Sequence, residues 1–182
     1  KPYFIAGGGH GNLGTMAYVN CYEEIKAFEL ENKLHFDYIF FASGTGTTQA
    51  GLVCGQLIYQ DDRKIVGISI AREKSRGRKI VVDSINDFFK EKALNISPEE
   101  IEKYTIFVDD YRGNGYGENT DEISNTIYDM MINYAIPMDS VYTGKAFCGM
   151  KKYLKQFGIT GKKILFIHTG GTPLFFDDLR RM

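Results

Sequence analysis

Apolar and polar positions along this chain follow two patterns. Short unbroken apolar runs alternate with longer stretches in which apolar residues recur every third or fourth position. The first pattern marks buried strands and the second marks helices with one buried face. Residues 2–6, 36–42, 64–70, 104–108 and 163–167 read as strands, and Ser140-Val141-Tyr142 as a further short one. Helical spacing runs over 13–32, with Met16, Val19, Tyr22, Ile25, Ala27 and Phe28 inward. It returns over 79–92, with Val82, Ile85, Phe88 and Phe89 on one face, and over 144–157, with Phe147, Met150, Tyr153 and Leu154. Residues 49–59 form a helix rich in small residues, which lets it pack closely on a neighbour. Ser97-Pro98-Glu99-Glu100 is a capping box with proline at the first helical position, and opens a helix of a turn or two. Thr120 caps a helix through Ala135 with Ile123, Ile127, Met130 and Met131 inward. Between these elements, 7–12 and 109–118 are glycine-rich loops, 71–78 is a charged connector and 137–139 a turn.

Strands alternating with helices predict the α/β class: a mainly parallel twisted sheet with helices on both faces. In such sheets, ligands sit beyond the carboxyl ends of the strands. Four junctions there carry unusual residues: 43–48, 109–117, Tyr142-Thr143 and 168–172. The first organises the rest. A strand ending at Ala42 runs into Ser43-Gly44-Thr45-Gly46-Thr47-Thr48 and then a helix. The first N–H groups of a helix lack internal partners and carry the positive end of its dipole, so this turn suits an anion, above all a phosphate. It has neither the lysine of a Walker loop nor the G-x-G-x-x-G spacing. A turn capped only by Thr47 or Thr48 is the plainer alternative. Neutral hydroxyls and the rings of Tyr111, Tyr116 and Tyr142 share this predicted edge, which suits a flat, phosphorylated aromatic ligand. No cluster of His, Cys and carboxylate calls for a metal.

Composition narrows the class further. The chain has 182 residues, 43% hydrophobic and 25% charged, with a formal net charge of −1. That is ordinary for one globular unit with a sizeable core, and nothing in it asks for nucleic acid or a membrane surface. Cys21, Cys54 and Cys148 are odd in number and widely spaced, as expected of reduced thiols in a cytoplasmic protein. The chain begins with Lys1 and runs at once into an apolar segment, which suggests a missing upstream part.

Taken together, several motifs resemble the pyridoxal-phosphate family that contains D-cysteine desulfhydrase and 1-aminocyclopropane-1-carboxylate deaminase. They are Gly7-Gly8-Gly9 with Asn12-Leu13-Gly14, Ala42-Ser43-Gly44 through Gln49-Ala50-Gly51, Gly115-Tyr116-Gly117, Val141-Tyr142-Thr143-Gly144-Lys145, and Phe166-Ile167-His168-Thr169-Gly170-Gly171. The resemblance covers nearly the whole chain. It implies a fold-type-II architecture like that of the tryptophan synthase β chain, a homodimer and pyridoxal 5'-phosphate as cofactor. It implies that Ser43, Gly44, Thr45, Gly46, Thr47 and Thr48 hold the cofactor phosphate, with Thr143, Thr169 and Gly170 also at the cofactor. Tyr116 and Tyr142 would flank the substrate as catalytic residues, and Thr169 would face the pyridine nitrogen. The family's Schiff-base lysine sits in an upstream motif of the type Asn-Lys-x-Arg-Lys, which these residues lack. The whole chain, 1–182, therefore looks like the C-terminal, cofactor-binding lobe of such an enzyme, inactive by itself.

The two branches of the family differ beside the ring. Deaminase-like members carry Glu after the tyrosine and Leu before the paired glycines. Here Thr143 and Thr169 stand at those positions, which resembles the desulfhydrase branch. The implied reaction is α,β-elimination of D-cysteine to pyruvate, hydrogen sulfide and ammonia. A 1-aminocyclopropane-1-carboxylate deaminase, or a non-catalytic module holding a phosphorylated small molecule, are the alternatives. Lys145 is expected at a helix start, on the surface or behind the site, and not as a nucleophile. Arg72, His10 and His168 are read as structural or without a role.

Overall fold

The computed structural model describes residues 2–179. Strands β1 (Tyr38–Ser43), β2 (Lys64–Ser69), β3 (Ile106–Val108) and β4 (Ile164–Phe166) form one parallel sheet in the order β3-β2-β1-β4. The helices are α1 (Asn12–Asn32), α2 (Thr47–Tyr59), α3 (Lys74–Glu91), α4 (Pro98–Tyr104), α5 (Asp121–Tyr134), α6 (Thr143–Gln156) and α7 (Thr172–Leu179).

Strand alternation divides the core between the two faces of the sheet. Ile39, Phe41, Ile65 and Phe107 point to one side, where α1 to α4 cover them with Tyr22, Leu52, Val53, Ile85 and Phe88. Phe40, Ala42, Val66, Ile68 and Val108 point to the other, against Ala146 and Met150 of α6. A third cluster joins α5, α6 and α7 through Ile127, Met138, Cys148 and Phe175. Both faces are dry, as an all-parallel sheet requires.

Helices α1 and α2 run side by side in the same direction, in contact through glycine. A Cβ on Gly51 would lie 2.4 Å from the Tyr18 Cβ, and one on Gly55 would lie 2.5 Å from the Tyr22 Cβ. One on Gly14 would lie 2.8 Å from a Thr47 methyl. The close packing expected of 49–59 is therefore present. The Ser97 capping box and the Thr120 cap both form.

Several expectations are corrected. Residues 2–6 pair with none of the four strands, and Tyr3, Phe4 and Ile5 are exposed. An apolar run becomes a strand only where an edge accepts its hydrogen bonds. The charged segment 74–78 belongs to α3: its Lys74, Arg76 and Arg78 are good helix formers, and Gly77 presses on the Phe107 ring. Residues 140–142 are a turn leading into α6, not a strand. Ala27, Phe28 and Met131 lie outside the core. Helix α7 was not foreseen. None of the helices described is long and apolar enough to cross a membrane.

Candidate functional site

All four strands are parallel, so the loops after β1, β2, β3 and β4 leave the sheet at one edge. At its centre, Gly46 (φ +97°) is the N-cap of α2 and offers no side-chain acceptor to that helix. Gly11 caps α1 in the same way. Neither helix has an acidic residue in its first turn. Because α1 and α2 are parallel and in contact at Gly14 and Thr47, their N-termini lie side by side. The turn Gly7–Gly9 lies over the same place: a Cβ on Gly8 would stand 2.7 Å from the Thr45 hydroxyl. Thr45 and Thr47 have their hydroxyls 3.3 Å apart. Two uncapped helix ends, glycine backbone and a hydroxyl pair make an electropositive cradle without a cationic side chain.

Gln49 of α2 sets this turn against the sheet. It is fully buried, accepts a hydrogen bond from the Ser43 hydroxyl (3.0 Å) and donates to the Ile106 carbonyl of β3 (2.7 Å). To reach β3 it crosses Gly67 of β2, where a Cβ would lie 2.2 Å from its amide oxygen. The Ser43 side chain thus points into the protein, while Gly44, Thr45 and Thr48 remain half-buried at the turn.

The tyrosines expected at the site come together. The Tyr116 and Tyr142 hydroxyls are 2.6 Å apart, their rings edge to face at 6.0 Å. The hydrogen bond that Tyr142 donates to Tyr116, aided by burial, pushes the Tyr142 phenol up to about 12. Tyr116 is exposed on a loop whose Gly113, Gly115 and Gly117 all have positive φ.

Tyr142 is held by a residue that sequence reasoning passed over. Asp139 is fully buried and accepts from the N–H groups of Val141 (2.9 Å), Tyr142 (2.7 Å) and Thr143 (2.9 Å) and from the Thr143 hydroxyl (2.8 Å). The Thr143 hydroxyl in turn accepts from the Asp139 N–H at 3.2 Å. Thr143 therefore faces Asp139, away from the open edge, and locks the start of α6. The same carboxylate presses on the loop after β4: a Cβ on Gly171 would lie 2.4 Å from it. Thr169 and Gly170 (φ +108°) are half-buried on that loop. His168 is exposed, its Nε2 2.8 Å from the Pro137 carbonyl, a structural contact as expected.

Of the two places expected for Lys145 at the start of α6, the structure gives the one behind the site and not the surface. Lys145 is fully buried, and its ammonium donates to the carbonyls of Gly115 (2.9 Å), Arg112 (3.3 Å) and Ile70 (3.5 Å). Burial holds its pKa below the usual lysine range, against the opposing pull of Glu118. The Val-Tyr-Thr-Gly-Lys motif marks the position but not this role.

Over residues 1–170 the sequence matches the family described as pyridoxal-phosphate dependent enzyme. It is similar to a protein of Pyrococcus horikoshii, provisionally named 1-aminocyclopropane-1-carboxylate deaminase. The two are 35% identical over 171 residues, 94% of this chain and 50% of that protein. A Pyrococcus abyssi protein of the same provisional name is 31% identical over 176 residues, 97% of this chain and 52% of that protein. A crystal structure of an ACC deaminase homologue superposes with a TM-score of 0.84 at 33% identity, covering 98% of this chain and 53% of that one. The chain spans about half the length of the curated relatives it matches. A parallel sheet whose loops bring a glycine-rich turn and a tyrosine pair to one edge, with the match over 1–170, places the chain in the pyridoxal-phosphate dependent enzyme family, similar to proteins named for ACC deaminase.

Proposed function

We propose that this chain is the cofactor lobe of a desulfhydrase that removes sulfide from D-cysteine by α,β-elimination, giving pyruvate, hydrogen sulfide and ammonia. The residues present fit pyridoxal phosphate. The phosphate would rest on the N–H groups at Gly44 to Thr48, where the N-termini of α1 and α2 meet with no acid in either first turn and no side-chain cap. Thr169 and Gly170 would stand at the ring, with the tyrosine pair on the substrate side. When bound there, the cofactor makes the Cα proton of an amino acid acidic and takes up the resulting electron pair.

The observation that carries the choice of reaction is the neutral lining. Position 169 is a threonine, and at position 143 a threonine turns its hydroxyl away to Asp139, so neither presents an ionisable group to the open edge. The nearby carboxylate, Asp139, has its oxygens occupied by the start of α6. A site without an ionised partner for the ring suits expulsion of a good leaving group better than opening of a carbon ring. Tyr142 keeps its proton at neutral pH, since its hydrogen bond and burial push the phenol up. It stays a hydrogen-bond donor to Tyr116, whose own hydroxyl can then donate a hydrogen bond to a departing thiolate.

A second reading is deamination of 1-aminocyclopropane-1-carboxylate, favoured by the names of the Pyrococcus relatives. Activity of either kind is proposed for an enzyme that also contains the family's lysine motif. Assaying such an enzyme with both substrates tests the choice. Sulfide release from D-cysteine with little turnover of the cyclopropane is expected, and the reverse preference overturns it.

A further inference from the structure

Lys145 sits in the first turn of α6 and is only 1% exposed. Among the described residues no carboxylate lies within ion-pair distance of it. A buried cation without a counter-ion is costly unless each of its protons finds an acceptor. Here the ammonium has three N–H groups and three carbonyls. One carbonyl, Ile70, follows β2. The other two, Arg112 and Gly115, belong to the loop that carries Tyr116.

Apart from the 3.5 Å contact of Arg112 with Glu73 and the tyrosine pair itself, the other ties of that loop hold its beginning or hold it to itself. Tyr111 packs on Gly149 and donates to Gln156, and the Lys74 N–H donates to Asp109. Glu118 closes on Asn114 within the loop. The stretch from Arg112 to Gly117 has two positive-φ glycines on either side of Asn114 and a third after Tyr116, so its backbone has no stiffness of its own. We propose that Lys145 is the positioning residue of the tyrosine pair: its buried ammonium fastens the Arg112 and Gly115 carbonyls to the end of β2 and thereby sets where Tyr116 meets Tyr142. Lys145 touches neither hydroxyl, and it acts through the backbone immediately before Tyr116.

The inference rests on Tyr116 and Tyr142 being the working pair, but its test uses neither cofactor nor substrate, so it stands or fails separately from the elimination assay. Hydrogen exchange of the Arg112 and Asn114 amides, which donate to Asp109 and Glu118, is followed in the 182-residue protein, together with tyrosine titration by 13C NMR. Lys145→Met keeps the stem and removes the donors. It should speed exchange of these amides at least about tenfold. The Tyr142 phenol should move from about 12 toward the ordinary value near 10. Ile85→Ala, in the core of the opposite face, should lower stability while leaving both signals unchanged. Tyr116→Phe should lower the Tyr142 titration yet leave loop exchange slow, because the ammonium still holds the carbonyls. The proposal is overturned if Lys145→Met changes neither signal. It is overturned equally, even should that variant not fold, if Tyr116→Phe alone frees the loop.

Discussion

Asp139 shows what one buried carboxylate can hold together. It accepts three N–H groups and a hydroxyl at the start of α6, and it packs on Gly171. Replacing it with alanine strands these donors. Asp139→Ala should cost about 3 kcal/mol, more than an ordinary cap, whereas Asp139→Asn, which keeps one acceptor oxygen, should cost about half as much. Urea titrations of the two variants check this, and equal midpoints would refute it. A second buried group makes stability depend on pH. Arg63 forms a two-pronged pair with Glu29 (2.9 and 2.7 Å) and meets Asp61 at 2.7 Å. Burial alone would raise the Asp61 pKa, but hydrogen bonds from Arg63, Lys26 and Tyr22 outweigh it and hold that carboxyl well below the usual range. A depressed carboxyl stabilises the fold fully above its unfolded value near 4 and loses that contribution as pH falls toward the folded value. Acid unfolding should therefore steepen below about pH 4, and Asp61→Asn should flatten that limb while costing about 3 kcal/mol at neutral pH. The caps at Ser97 and Thr120 could be read from sequence because their partners lie three residues away. Arg63 and Glu29 are 34 residues apart, and Lys145 reaches a carbonyl 75 residues back. Such pairings exist only once the sheet has brought the elements together, so local spacing carries no trace of them.

At the scale of elements, the α1–α2 contact sets the width of the cradle. The small residues of 49–59 announced a close approach, and the structure supplies its partners, the Tyr18 and Tyr22 side-chain stems. Alanine is worth about 1 kcal/mol over glycine in a free helix. At Gly55 its methyl would lie 2.5 Å from the Tyr22 Cβ, so overpacking of about 1–3 kcal/mol should reverse that gain. Gly55→Ala is expected to be neutral to destabilising, and Gly51→Ala worse, because its methyl also meets the Thr15 carbonyl oxygen at 2.4 Å. The double variant should cost less than the sum, since one separation of the helices relieves both clashes. Thermal melts of the set decide the matter, and a stabilised Gly51→Ala protein would contradict the packing argument. The strands were legible by the same logic wherever both faces were buried. The run at 2–6 misled because its composition matches a buried strand while no described strand edge receives it.

For the molecule as a whole, parallel strands and parallel helices have one electrostatic consequence. The ends of α1 and α2 that carry partial positive charge meet at the carboxyl edge of the sheet, each capped by glycine and neither neutralised by an acid in its first turn. An anion bound there satisfies both ends at once, so the fold itself should gain from a phosphate. At a ligand concentration one hundred times its dissociation constant the gain is about 2.7 kcal/mol, or a rise in melting temperature of about 5–10 °C for a chain of this size. Pyridoxal phosphate should therefore raise the melting temperature of this protein, and pyridoxal, which lacks the phosphate, should not. Thr48→Glu sharpens the comparison by placing a carboxylate in the first turn of α2. That charge complements the helix dipole by about 0.3–1 kcal/mol, so the ligand-free variant should melt no lower than the parent. It also repels a phosphate from the same N–H groups, so the shift on adding pyridoxal phosphate should vanish. Loss of the shift together with a large fall in the ligand-free melting temperature would point to damaged packing instead. A shift of equal size in parent and variant would mean that the phosphate rests elsewhere.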